Sequence, residues 1–318
     1  MASFAADVKN EIARIVPLSS CCAVAELAAL LRIGANISFG RGETFGMSYH
    51  VENAAVARRV LQLLREVREG INTEVTVTRN RRLKKNNSYL VFVKPSEAGR
   101  ELFLRLGFLE DGRLNIESDR KILKKNCCCE SYLRGAFLGG GSVSRPEASC
   151  HLEITTRSYS IGDMLYRLFC RMGYPAGFTD RKESYVTYLK EGDAILAFLS
   201  MAGATEAAEA FEVARNVKEL REQVNRLVNC ETANLQKAID AAGRQLADIQ
   251  TLEENGGLSA LPRRVKEAAE LRLAAPEATL AELAASIGIS KSAFAHRMRK
   301  LHLLAEASSS KQEAAEAT

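Results

Sequence analysis

Near the C-terminal end of the chain, Ser290-Lys291-Ser292 and His296-Arg297-Met298-Arg299-Lys300 gather hydroxyl, imidazole, ammonium and guanidinium donors on one short segment. Such groups hold phosphate oxygens and reach the acceptor edges of bases, with Arg able to pair bidentately with guanine. The chemistry they point to is nucleic-acid binding rather than bond making. Between Leu258 and Leu304, eight Lys/Arg stand against four Glu, so this segment is locally basic in a chain of net charge +5. Phosphate binding favours that local excess.

The flanking residues say what must position these donors. Thr279 can cap a helix whose apolar side is Leu280, Leu283, Ala284 and Ile287, the recurrence of a buried helical stripe. Ala284 is small enough for a second helix to cross closely. Gly288 supplies the left-handed residue that ends the first helix, Ile289 plugs the core under the turn, and Ser290 caps the next helix. That second helix buries Phe294, Met298 and Leu301 and leaves the donors outside. The pattern predicts a helix-turn-helix whose recognition helix, 291–301, enters a major groove of double-stranded DNA. Ser290 and Lys291 are expected at phosphate, with Ser292, Arg299 and Lys300 beside them. His296 and Arg297 are expected at bases, where Arg297→Ala would cost about 1–3 kcal/mol and relax specificity.

A single such module seldom gives high affinity, so a second contact is expected elsewhere. The stretch from Ala204 to about Leu252 reads as helical, with Phe211, Val213, Val217, Leu220, Val224, Leu227 and Val228 as its apolar stripe. Asn225 and Asn229 stand one turn apart with Arg226 beside them, and Thr232 followed by Asn234 reads as a break and a fresh cap. Asn contributes little to a helix interior, so Asn225, Arg226, Asn229 and Asn234 are candidates for DNA contact or for packing on a neighbouring domain. Gly256-Gly257 marks a hinge, and Pro276 ends the helix that precedes the helix-turn-helix. The other candidate is the basic run Arg79-NRRLKKNN-Ser88, with Arg79, Arg81, Arg82, Lys84 and Lys85 in a long hairpin; Lys121, Lys124 and Lys125 form a weaker cluster.

Composition excludes several classes. The chain has 318 residues and 47% hydrophobic content, enough for two or three domains with real cores. No apolar run approaches the ~20 residues that span a bilayer, and the opening residues lack a signal-peptide core, so a cytoplasmic protein is expected. The eight cysteines fall as Cys21-Cys22, Cys127-Cys128-Cys129 and lone Cys150, Cys170 and Cys230. Without a CxxC pair matched to a second pair, they are read as reduced structural thiols, with no metal and no cofactor. His50 and His151 lack the companions of a metal or nucleophile site, and the Gly-rich run before Ser142 and Ser144 lacks the Lys-Ser/Thr ending of a phosphate-binding loop.

The first two hundred residues contain a duplication. Glu26-LAALLRIGANIS-Phe39 matches Tyr132-LRGAFLGGGSVS-Arg145, with Gly34 on Gly140, and Tyr89-LVFVKPSEAGRELFLRL-Gly107 matches Tyr185-VTYLKEGDAILAFLSMA-Gly203. Each copy reads as helix, two strands, helix, two strands, helix, over about 21–107 and 127–203. Two similar α+β halves related by a pseudo-twofold axis follow. Glycines at the ends Arg32-Ile33-Gly34-Ala35 and Leu138-Gly139-Gly140-Gly141 would let the two leading helices pack closely on that axis. This pattern resembles the LAGLIDADG homing-endonuclease fold. The resemblance implies that the last but one signature residue is normally a metal-binding acid; here those positions are Gly34 and Gly140, so a two-metal site lacks its ligands.

Taken whole, the chain resembles the WhiA family, on Ser3-FAADVKNEIARI, Cys129-ESYLRGAFLGGGSVSRPEASCHLEI and Asn225-RLVNCETANLQKAIDAAGRQ. The resemblance implies a degenerate LAGLIDADG domain joined to a C-terminal helix-turn-helix, and sequence-specific DNA binding tied to sporulation, cell division and chromosome organisation. It also implies a nucleoid location and a regulatory partner of the WhiB type. The expected organisation is an α+β duplicated domain over 1–203, a helical linker over 204–257, an all-α helix-turn-helix domain over 258–304 and a disordered tail over 305–318. A monomeric, non-enzymatic transcription regulator is the expected function. Its rivals are an active LAGLIDADG endonuclease and a ligand- or partner-sensing domain with a DNA-binding tail.

Overall fold

Strand alternation and helical periodicity change places at the same points in both repeats, and the structure follows them. The computed structural model describes residues 3–79, 87–110, 113–115, 121–145 and 147–316, with side chains described as far as residue 310. Arg81, Arg82, Lys84 and Lys85 lie outside the described residues. The chain divides into two compact units, Met1–Glu219 and Leu220–Thr318.

In the first unit, α1 (Phe4–Ile12) precedes the first copy, which runs α2 (Ser20–Gly34), β1 (Ala35–Phe39), β2 (Phe45–Val51), α3 (Ala54–Val67), β3 (Thr73–Arg79), β4 (Asn87–Ser96) and α4 (Glu97–Arg105). A two-stranded ribbon, β5 (Leu109–Glu110) with β6 (Arg113–Leu114), follows it. The second copy runs α5 (Asn126–Gly140), β7 (Gly141–Val143), β8 (Leu152–Thr156), α6 (Tyr159–Arg171), β9 (Ala176–Arg181), β10 (Ser184–Leu189) and α7 (Gly192–Ala202). The two four-stranded antiparallel sheets have equivalent orders, β1-β2-β4-β3 and β7-β8-β10-β9.

Local chemistry accounts for these elements. In β2, Phe45, Met47 and Tyr49 turn inward while His50 faces out, the period of a half-buried strand. In α3, Val56, Val60, Leu63, Leu64 and Val67 are buried, and Asn53 accepts from the backbone N–H groups of Ala55 and Val56 to cap the helix. The buried face of each sheet meets its helices in one continuous core.

Helices α2 and α5 pack against each other at the centre of that core, but the glycines divide the work unequally. A Cβ on Gly135 would overlap the carbonyl oxygen of Glu26, and one on Gly140 would sit 2.8 Å from Ile33 Cγ2 while overlapping the carbonyl oxygen of Thr155. Gly34 serves a different contact: its Cβ would lie 2.5 Å from Cε2 of Tyr49, in its own copy. The helix–helix approach expected of both signatures therefore rests on the glycines of α5. Beside it, Glu26 is wholly buried and takes a bidentate pair from Arg59 at 2.7 and 2.8 Å. Arg134 Nη1 lies 3.7 Å from the same carboxylate, and Arg134 Nε donates to the Ala202 carbonyl at 3.1 Å.

Helix α8 (Thr205–Glu254) is continuous over 50 residues. Glu11 caps its start, accepting from the N–H groups of Glu206 and Ala207 at 3.0 Å each. The break expected at Thr232 and Asn234 is absent. These residues cost a helix less than about 0.7 kcal/mol apiece, and Ala233, Leu235, Gln236, Lys237 and Ala238 around them are good helix formers. The expected apolar stripe also fails to become a core: Phe211 is buried, whereas Val213, Val217, Leu220, Val224, Leu227 and Val228 are exposed.

In the second unit, the end of α8 packs with α9 (Arg263–Ala274), α10 (Leu280–Ser286) and α11 (Lys291–Glu316) around Ile249, Val265, Ala268, Leu283, Phe294, Met298 and Leu301. Gly256 and Gly257 both take positive φ, 144° and 76°, but the residues before and after them share one core, so where a hinge is expected the chain makes a turn inside the unit. The tail expected to be disordered from 305 is helical through Glu316 as part of α11. Ala305 is buried in the core of the unit, and the run after it is rich in Ala and Glu, which sustain a helix.

Candidate nucleic-acid interface

The helix-turn-helix assembles from its caps outward. Thr279 and Glu282 form a capping box: Glu282 N–H donates to Thr279 Oγ1 at 3.2 Å, and Thr279 N–H donates to Glu282 Oε2 at 2.7 Å. The Thr279 backbone bond, followed by its hydroxyl, holds the Glu282 carboxyl below the usual carboxylate range. Gly288 takes φ 68°, and the N–H of Ile289 donates to the Ala284 carbonyl at 3.0 Å, closing α10 in a left-handed cap. Ser290 then caps α11, its Oγ accepting from Ala293 N–H at 3.2 Å.

Burial sorts the donors of α11. Phe294, Met298 and Leu301 face the core, so Ser292, His296, Arg299 and Lys300 lie on the opposite side, and all four are exposed. Lys291 is exposed in the first turn. Arg297 is placed differently. Its guanidinium donates to Glu267 Oε2 of α9 at 2.8 Å, and its side chain is only 17% exposed. The outward basic set is therefore Lys291, Arg299 and Lys300, with Ser290, Ser292 and His296 between them. Among the described residues, no carboxylate pairs with those three cations.

Two polar contacts hold this face in place, and sequence periodicity signals neither. Arg272 is 2% exposed; it donates from Nε to Gln245 Oε1 at 3.0 Å and from Nη1 to the carbonyls of Ala278 and Pro276 at 2.6 and 3.3 Å. It thereby ties α8 and α9 to the residues just before α10, and burial draws its pKa below the ordinary arginine value. His302 on α11 meets Asp248 of α8 at 3.0 Å, and that hydrogen bond, with the carboxylate charge, raises the imidazole pKa above its usual value.

The other candidates belong to other elements. Asn225, Arg226, Asn229 and Asn234 lie on an entirely exposed stretch of α8, where Asn234 Nδ2 approaches Cys230 Sγ at 3.7 Å. Arg79 ends the edge strand β3, exposed and paired in register with Asn87. On the solvent faces of the two sheets, Lys94 meets Glu74 at 2.5 Å, and Glu153 lies 3.1 Å from His151 and 3.7 Å from Arg181. His50 bonds Ser88 at 2.5 Å.

At the opposite pole of chemistry, the ends of α2 and α5 present Gly34 and Gly140, not acids. The beginnings of the same helices hold a feature that the spacing rules for metal motifs miss. Cys21, Cys22, Cys127 and Cys128 bring their four Sγ atoms within 4.8 Å of one another. Extending the repeat alignment backward from Glu26 and Tyr132 is the signal that pairs these cysteines.

Comparison with known proteins agrees with the geometry along the whole chain. Family models match for the WhiA N-terminal LAGLIDADG-like domain over residues 20–109, the WhiA LAGLIDADG-like domain over 129–221 and the WhiA C-terminal HTH domain over 224–305. A probable cell division protein WhiA of Heliobacterium modesticaldum is 42% identical over 308 residues, covering 96% of each chain. One from Desulforamulus reducens is 43% identical over 309 residues, covering 96% of this chain and 95% of that one. The crystal structure of full-length DUF199/WhiA from Thermatoga maritima aligns over 96% of this chain and 98% of that chain, with a TM-score of 0.57 at 22% identity. On its two LAGLIDADG-like repeats and its C-terminal HTH domain, the chain belongs to the WhiA family.

Proposed function

We propose that the protein is a sequence-specific, non-cleaving DNA-binding regulator of transcription that acts in cell division, as the names of its relatives suggest. The observation that carries this reading is the outer face of α11, where Lys291, Arg299 and Lys300 stand exposed around Ser292 and His296, without carboxylate partners among the described residues. Cations in that position on a capped helix retain their full attraction for phosphate and their reach for base edges. Lys94 and Arg181 on the sheet faces are already engaged with Glu74 and Glu153.

The same reading treats the duplicated domain as a platform rather than a nuclease. Hydrolysis by two metals requires carboxylates at the ends of both signature helices, and glycines stand there. A second DNA contact comes from Asn225, Arg226, Asn229 and Asn234 on α8 or from the basic run that begins at Arg79. Action on sporulation genes and chromosome organisation, a nucleoid location in the cytoplasm, a monomeric state and a WhiB-type partner belong to this proposal as well.

The test is binding of the full-length chain to promoter fragments across a salt series, with Mg2+ present and strand breaks monitored. The expected result is sequence-dependent binding, no cutting, and a large drop in affinity for a Lys291→Ala/Arg299→Ala/Lys300→Ala variant. Cleavage, or unchanged binding by that variant, would overturn the reading.

A further inference from the structure

The repeat places one vicinal cysteine pair at the start of each central helix. Cys21-Cys22 are the second and third residues of α2, and Cys127-Cys128 are the second and third residues of α5; each helix has 15 residues and ends on its glycine. Cys22 and Cys128 are buried, Cys21 and Cys127 half-buried, and the four sulfurs converge within 4.8 Å. The neighbouring Cys129 turns elsewhere: its thiol donates to the Leu123 carbonyl at 3.3 Å, and its sulfur accepts from Arg171 Nη2 at 2.7 Å. The fold thus selects two of the three consecutive cysteines and matches them to the vicinal pair of the first copy.

We propose that Cys21, Cys22, Cys127 and Cys128 form a tetrathiolate site for a single soft divalent metal ion of the zinc class. Metal–sulfur bonds of ~2.3 Å in a tetrahedron put sulfurs about 3.8 Å apart, so small side-chain rotations close the observed cluster onto one ion. Opposite edges of a tetrahedron are related by a twofold axis, which is the relation expected of two repeats with equivalent strand orders that pack through α2 and α5. A polynuclear iron–sulfur cluster needs its thiolates spread more widely, so the compactness favours a mononuclear ion.

Charge supports the same occupant. Four thiolates around a divalent ion leave two negative charges, and both helices direct their N-terminal N–H groups, the positive ends of their dipoles, toward that end. The adjacent pocket, 460 Å³ in volume, is lined by Arg105, Lys121, Lys124 and Lys125 together with Cys21 and Cys128. Four protein sulfurs leave no open coordination position, so the ion's role is structural: it clamps α2 to α5 at the end remote from Gly34 and Gly140.

The experiment is a Co2+ titration of the reduced full-length protein under anaerobic conditions, followed by competition with Zn2+. The expected result is one Co2+ per chain, with thiolate-to-cobalt charge transfer in the near ultraviolet and the ligand-field bands of a tetrahedral site, both abolished by added Zn2+. Cys129→Ser should retain these spectra, and Cys21→Ser, which removes a half-buried thiol only, should weaken binding at least tenfold. Cys22→Ser/Cys128→Ser should abolish the charge-transfer band. Absence of that band in the wild-type chain, wild-type spectra in the double variant, or mapping of the four cysteines as two disulfides in freshly isolated protein would each overturn the proposal.

Discussion

Arg297 directs its guanidinium to Glu267 at 2.8 Å, across the gap between α11 and α9, and so braces α11. Arg297→Ala should lower the stability of the protein by about 0.5–1 kcal/mol, as for a partly exposed ion pair. Its effect on discrimination between DNA sequences should be small. Thermal melting and competition binding on the same variant separate the two effects; a tenfold drop in sequence discrimination with unchanged melting would return Arg297 to the bases.

Lys291, Arg299 and Lys300 should behave as phosphate ligands. Replacing any one by Ala should reduce the slope of log K against log salt by about 0.9 for each phosphate no longer neutralised. Fluorescence anisotropy over a range of salt concentrations measures that slope. If His296 reads a base edge, His296→Ala should instead change the preferred sequence and leave the slope unaltered.

The pair Glu26 and Arg59 is a buried ionic contact whose members depend on each other. Glu26→Gln leaves Arg59 charged in the core with Arg134 nearby, and should cost about 3–5 kcal/mol. A Glu26→Met/Arg59→Leu variant should recover part of that stability, because it removes both charges of the pair and leaves only Arg134 charged beside them, held by the Ala202 carbonyl. Urea denaturation of the three chains decides the matter; equal destabilisation in single and double variants would refute the coupling.

Two glycines should respond oppositely to alanine. At Gly135 the new methyl would overlap the Glu26 carbonyl and force α2 and α5 apart, costing about 1–3 kcal/mol. At Gly243 in α8 nothing lies within 4 Å of an added Cβ, so alanine should stabilise the helix by about 0.5–1 kcal/mol. The sign of each change in melting temperature is the test.

The His302–Asp248 contact makes the second unit sensitive to alkaline pH. Its imidazole pKa is raised in the folded state, so the contact's stabilisation is complete below the unfolded value of about 6.5 and fades as pH rises through the higher folded value. The melting temperature of the wild type should therefore exceed that of His302→Gln most at acidic pH, and the difference should narrow toward alkaline pH. A gap that widened with pH would contradict the assignment.

The parts of this fold governed by local rules are legible in the chain itself. Thr279, Gly288 and Ser290 announce their caps and turn by residue type, and the doubled order of helices and strands follows from matched apolar periods. Partners distant along the chain are not legible. Nothing in the spacing of Arg297 indicates that Glu267 waits across the helix pair, and the Asn and Thr residues of α8 suggest a break that good helix formers around them override. The vicinal cysteines are hidden for a related reason: each pair is incomplete within its own repeat, and only the packing of α2 on α5 brings the four sulfurs together.

Gly140 also limits what the end of α5 can carry. A carboxylate there would require a single codon change, yet its first carbon would collide with the Thr155 backbone and crowd Ile33. An acid at this position would thus demand a coordinated shift of a helix and a neighbouring strand, a change that no one substitution supplies. The tight seat of this glycine acts as a lock: it fixes the end of α5 against the strand beside it, and the packing itself keeps side chains out of that place.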